Sequence, residues 1–99
     1  MMSPSLEKQY TGVEDILQER GNRYGEFSGH AELTQALKSV FLHKAKTTAR
    51  LTPSMQEALD MIFHKIGRIG NGDPYYDDSW IDIAGYAQLV VDELHKDSK

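Results

Sequence analysis

The chain has 99 residues, a formal net charge of -4 and no cysteine. That length holds one domain with one core. The missing thiols exclude a disulfide framework, a thiolate metal site and a cysteine nucleophile. An acidic balance also argues against a general nucleic-acid binder, which needs a basic surplus to displace counterions from phosphates.

In chain order, residues 1–11 are polar and carry Pro4, with Gly12 just beyond, so they read as a flexible arm ahead of the domain, 12–95. Val13, Ile16 and Leu17 recur at helical spacing and predict a short leading helix that Gly21 stops. Gly21 to Gly29 reads as an aromatic-rich loop, Arg23-Tyr24-Gly25-Glu26-Phe27, folded back on the core. Ala31 to about Ala45 is a helix with Leu33, Ala36, Leu37, Val40 and Phe41 on one stripe.

A polar linker, Lys46 to Arg50, leads to Thr52-Pro53. Threonine suits the N-cap and proline the first helical position, so the next helix opens there. It runs to about Ile69, where Gly70-Asn71-Gly72-Asp73-Pro74 ends it. Asp77 or Asp78 caps the last helix, which continues to about His95, and residues 96–99 form a solvated tail. No segment alternates with period two over a useful length. The expected fold is all-α: a small bundle of three main helices plus the leading one, with no sheet.

Helical wheels divide these segments further. Met55, Leu59, Ile62, Ile66 and Ile69 form the core stripe of the third helix, opposite Glu57, Met61, His64 and Arg68. Lys65 lies at the boundary, near Ala58. In the fourth helix Trp80, Ile83, Ala84, Ala87, Val90, Val91 and Leu94 read as core. Asp78, Asp82, Gly85 and Leu89 lie on the far side, flanked by Ile81 and Tyr86. Apolar residues on nearly every side imply burial on nearly every side, hence a homodimer or larger homo-oligomer.

The chemistry concentrates between Glu57 and Asp82. Carboxylates at Glu57, Asp78 and Asp82 are hard oxygen donors of the kind Mg²⁺ prefers. Lys65 and Arg68 suit phosphate oxygens, and His64 and Tyr24 stand with them as candidate nucleotide-binding residues, while Tyr75-Tyr76 either stacks on a base or packs locally. The same residues also admit a plain inter-helix ion pair, Lys65 or Arg68 to Asp78 or Asp82. His30, His43 and His95 show no metal-ligand spacing. Gly67 to Gly72 lacks the strand and the Lys-Ser/Thr of a phosphate loop, and no serine sits in a nucleophile motif.

Arg23 to Phe27, Glu57 to Ile69, Asn71 to Pro74 and Asp78 to Ala87 together resemble a family of small phage and prophage proteins of unassigned function. That family is similar to the phage nucleotide-modification-associated domain and, more distantly, to the MazG-type all-α nucleoside triphosphate pyrophosphohydrolases. The resemblance implies a MazG-like bundle, a nucleotide ligand and Mg²⁺. MazG-type enzymes bind the metal with Glu-x-x-Glu on one helix and Glu-x-x-Asp on a later one. Asp82 matches the final Asp. Ser79 stands in place of the Glu, with Asp78 one residue earlier, and the first motif reads His64-Lys65-x-x-Arg68. Two functions follow: nucleotide binding or Mg²⁺-dependent processing, or a non-enzymatic counter-defence or regulatory role through a host protein or a sequestered nucleotide signal. With no hydrophobic leader after Met1 and no apolar run of membrane length, a cytoplasmic protein away from membranes is expected.

Overall fold

In the computed structural model, which describes the backbone of residues 4–97 and the side chains of residues 12–96, the chain is all-α. Four helices follow one another: α1 (Pro4–Tyr24), α2 (Phe27–Lys44), α3 (Pro53–Asn71) and α4 (Asp77–Asp97), with a 3₁₀ turn at Thr48–Arg50 before α3. No helix among the described residues is long and apolar enough to cross a membrane.

Three boundaries move from where the sequence put them. The leading helix is long, and the backbone of residues 4–11, read as an arm, belongs to it. Gly12 and Gly21 sit inside it; a mid-helix glycine costs only about 1 kcal/mol, which a helix this long absorbs. The helix ends one turn later, where the Gly25 amide bonds to the Gly21 carbonyl at 2.8 Å and Gly25 turns to φ +77°. Glycine is the residue that takes this conformation cheaply, and it ends helices for that reason. α2 then starts at Phe27, four residues before Ala31, with Glu26 extended ahead of it. Residues 98 and 99 of the expected tail lie outside the described residues.

The third helix follows its sequence signals. Thr52 Oγ1 accepts the Met55 amide at 3.1 Å, Pro53 opens the helix, and the backbone leaves it at Gly72. Asp77 and Asp78 occupy the first turn of α4, where carboxylates favour the positive end of the helix dipole.

α3 is the central element. On one edge Phe41 meets Phe63 at 5.4 Å and Thr34 and His30 pack over Gly67, so α2 runs antiparallel to it. On the other edge Ser54 bonds Glu93 at 3.0 Å and Lys65 pairs with Asp82 at 2.7 Å, so α4 is antiparallel too. The result is a layer, α2–α3–α4, with α1 docked against one side through its C-terminal end. Little of it is sealed: among the described residues Ala58 is the one apolar side chain in the core, at 6% exposed. The molecule measures 63 × 30 × 24 Å with a radius of gyration of 17.9 Å. A compact chain of this length would have about 13 Å.

Candidate functional site

The C-terminal end of α3 is pinned to the α1–α2 corner, and that junction builds the site. Asn71 Nδ2 donates to the carbonyls of Tyr24 and Glu26, at 2.9 and 2.8 Å. The Asp73 amide donates to the Arg23 carbonyl at 2.7 Å. A Cβ at Gly25 would strike the Asn71 carbonyl, and one at Gly72 would strike the backbone of Arg23 and Tyr24. Two glycines therefore permit a backbone approach that no other residue would allow.

Held there, Tyr24 becomes the hub of an aromatic and cationic ladder. The Arg68 guanidinium lies 4.1 Å over the Tyr24 ring, and the Arg23 guanidinium lies 4.2 Å over Tyr76. The two tyrosines contact each other with ring centroids 6.1 Å apart. Such stacks orient a guanidinium without neutralising it, leaving its N–H edges for an anion. Tyr76 donates its hydroxyl to Asp78 Oδ2 at 2.8 Å, which holds the phenol above its ordinary pKa. Among the described residues no carboxylate pairs with Arg20, Arg23 or Arg68. These three line one cleft together with Tyr24, Tyr76, Ile16 and one carboxylate residue, Glu19.

Beside the cleft, and sharing Arg20, Tyr24 and Arg68 with it, opens a cavity of about 490 Å³. That volume is within the range of small-ligand pockets. Leu17 and Gly21 of α1 form one wall, Phe27 and His30 of α2 another, and His64 of α3 the third. Phe27, expected to fold back on the core, is instead 78% exposed at the rim. His30 Nε2 and His64 Nδ1 lie 3.3 Å apart, with the rings edge to face. One ring therefore donates and the other accepts. Burial, then the positive charge of Arg68, lowers His64 to about 4. Burial also lowers His30, opposed by a backbone hydrogen bond at Gly67. Both rings are neutral near pH 7.

The residues singled out for nucleotide contact separate accordingly. Tyr24, His64 and Arg68 converge on the cavity. Lys65 does not: it is buried on the α4 side and pairs with Asp82. Glu57, Asp78 and Asp82 are not brought together. Asp82 is committed to Lys65 and Asp78 accepts from Tyr76, while Glu57 lies about 12 Å along α3 from Lys65, in a groove with Leu89. Among the described residues no three His, Asp or Glu side chains group as a metal site would. This donor set does not fit a resident Mg²⁺. Asp73, beyond α3, accepts the Tyr75 amide and stabilises its turn, as expected of an Asp before a proline.

Sequence reasoning missed His30, Arg20, Arg23 and Asn71. The signal for Asn71 was present in Gly25 and Gly72, which mark close backbone approach, but nothing local says that they approach each other.

No curated protein and no solved structure gives a match to the chain. A family match covers residues 11–93, and so spans every residue of the cavity and the cleft. The chain belongs to the DUF6378 family, a domain of unknown function.

Proposed function

We propose that the domain binds a nucleotide, with the base in the Tyr24–His64 cavity and the phosphates on the Arg20–Arg23–Arg68 cleft. The observation that carries this reading is the Arg68 guanidinium stacked on Tyr24 at the boundary between a mainly apolar cavity, with Glu26 in its lining, and a cleft where three arginines outnumber one carboxylate, Glu19. A nucleotide has the same division, a flat aromatic end and an anionic end. The rings of Tyr24 and Phe27 offer faces to a base, where stacking contributes roughly 1–3 kcal/mol. The His30–His64 pair leaves His64 Nε2 for its edge, since His30 Nδ1 is taken by Thr34. The arginines present charged N–H groups to phosphate oxygens, the stronger class of hydrogen bond.

The reading is one of binding, and no hydrolytic step follows from these side chains. Any Mg²⁺ would arrive on the phosphates of the ligand, as that ion commonly does. Calorimetric titration with nucleoside triphosphates, the parent nucleosides and inorganic phosphate tests it. Nucleotides should bind more tightly than either part, and Arg68→Leu and Tyr24→Leu should each weaken them at least tenfold. Arg68→Leu should also flatten the salt dependence. A wild-type protein that takes up none of these ligands would end the proposal.

A further inference from the structure

The apolar stripes of the three layered helices come out on one side. Because α2 and α4 flank α3 from opposite edges and both run antiparallel to it, three rows project the same way: Leu33, Leu37 and Val40; Met55, Leu59, Ile62 and Ile66; and the α4 row below. Met55 and Leu94 line a common groove, and a Cβ on Gly70 would touch Leu33, which fixes this side for each pair. The polar row of α3, with His64 and Arg68, faces the other side, where α1 docks.

On α4 the row is Trp80, Ala84, Ala87, Val91 and Leu94, at alternating spacings of four and three. That is the spacing of a helix seam that packs knobs into holes, with small residues at its middle to admit a close neighbour. All five are exposed; Trp80 stands at 53% and Leu94 at 47%. Of the predicted core stripe of α4, Ile83 and Val90 are half-buried and these five are uncovered by the described residues. The face that meets α3 is the one carrying Ser79, Asp82, Tyr86 and Glu93.

We infer that a second copy of this chain covers the apolar face of the α2–α3–α4 layer, with the Trp80–Leu94 seam at the centre of the contact. The accessible surface is 7688 Å², against about 5,700 Å² for a compact monomer of this mass. The excess, roughly 2,000 Å², lies on this face and α1 together, and a standard interface takes roughly 800 Å² from each partner. The seam row carries no charge, the mark of an interface that is buried permanently rather than visited. Its heptad spacing needs a helix of matching spacing opposite, which a twofold copy supplies. The remaining helix of the chain, α1, is already engaged on the opposite side.

The native chain has no cysteine, so single cysteines report the contact cleanly. Light scattering at micromolar concentration should give twice the chain mass of 11.2 kDa. Ala84→Cys, Ala87→Cys, Val91→Cys and Leu94→Cys are each treated with a short bis-maleimide, and at least one should yield a covalent dimer. Leu89→Cys, on the far flank of α4, should not. A wild type that stays monomeric at all accessible concentrations overturns the inference and leaves the face to an unlike protein. A dimer that cross-links through Leu89→Cys but through none of the seam positions overturns it as well.

Discussion

Replacing Asp82 by asparagine separates an ion pair from a metal ligand, and the structure sets the size of the effect. The Lys65 side chain is 11% exposed and Asp82 46%, with 2.7 Å between them. Removing one partner of a fully buried pair costs about 3–5 kcal/mol, because an uncompensated charge stays behind. An exposed pair is worth about 0–1 kcal/mol. This pair is mixed, and the mixture makes it directional. Asp82→Asn strands the buried ammonium, so a loss of about 1–2 kcal/mol is expected. Lys65→Met strands only a half-exposed carboxylate and fills the same space with an apolar chain, so it should cost less than about 1 kcal/mol and could stabilise. Each kcal/mol moves the midpoint of a domain this size by about 4–8 °C. The assay is urea and thermal unfolding by circular dichroism at one fixed protein concentration, since association would make the midpoint concentration-dependent. Millimolar Mg²⁺ without nucleotide should leave the wild type unmoved. An Asp82→Asn protein as stable as wild type, or a Lys65→Met protein that loses more than Asp82→Asn, would refute the reasoning. So would a wild-type midpoint that climbs with Mg²⁺ alone.

Gly67→Ala should destabilise by about 1–3 kcal/mol in the same unfolding assay, because its Cβ drives into Thr34 Oγ1 and against the His30 ring. A variant that melts with the wild type would show that α2 and α3 are not packed this closely. Asn71→Ala removes two of the three hydrogen bonds that clamp the α1–α2 corner, leaving that of the Asp73 amide, and should cost about 1–3 kcal/mol. It should also raise hydrogen exchange in the last turn of α1, and unchanged exchange would count against the clamp. His64 is held at about 4, below its ordinary 6.5, so its contribution is intact above pH 6.5 and is lost as the pH falls from there towards 4, while the unfolded chain takes up the proton. The groups facing His64 are Arg68, Lys65, Lys38 and His30, all cationic or able to become so; His64→Gln should flatten this limb of a stability–pH curve.

Much of the fold was legible because local chemistry fixes it. Thr52-Pro53 and the Gly70–Pro74 turn bound α3 correctly, and helical periodicity located all three main helices. The errors arose where a residue type has two local meanings. Gly12 and Gly21 look like breakers, yet a long helix tolerates them, while Gly25, four residues on, does the breaking because it alone takes a left-handed φ. The site was harder to read for a different reason. A wheel places Lys65 and Arg68 three residues apart, but it does not say which neighbour each will meet. Lys65 turns to Asp82 on α4 and Arg68 to Tyr24 on α1. Both meetings are long-range, and the second depends on a glycine-permitted contact between segments about fifty residues apart in sequence.

The same limit explains why the broad apolar stripe of α4 was read as the core of its own chain. Periodicity reports that a face avoids water, and it is silent on what covers it. Here α3 has an occupant on three of its four sides. α2 takes the Gly67 edge, α4 takes the Ala58–Lys65 edge, and α1 approaches the His64–Arg68 side. Both edges are narrow contacts, closed on one by Gly67 and the Phe41–Phe63 pair and on the other by Ala58 and an ion pair, so most of the aliphatic side chains are not used there. They collect on the fourth side, which none of the four described helices closes. Four helices that commit one of their number to a ligand cavity have three for a core, and three in a layer have a core only when something is laid against them.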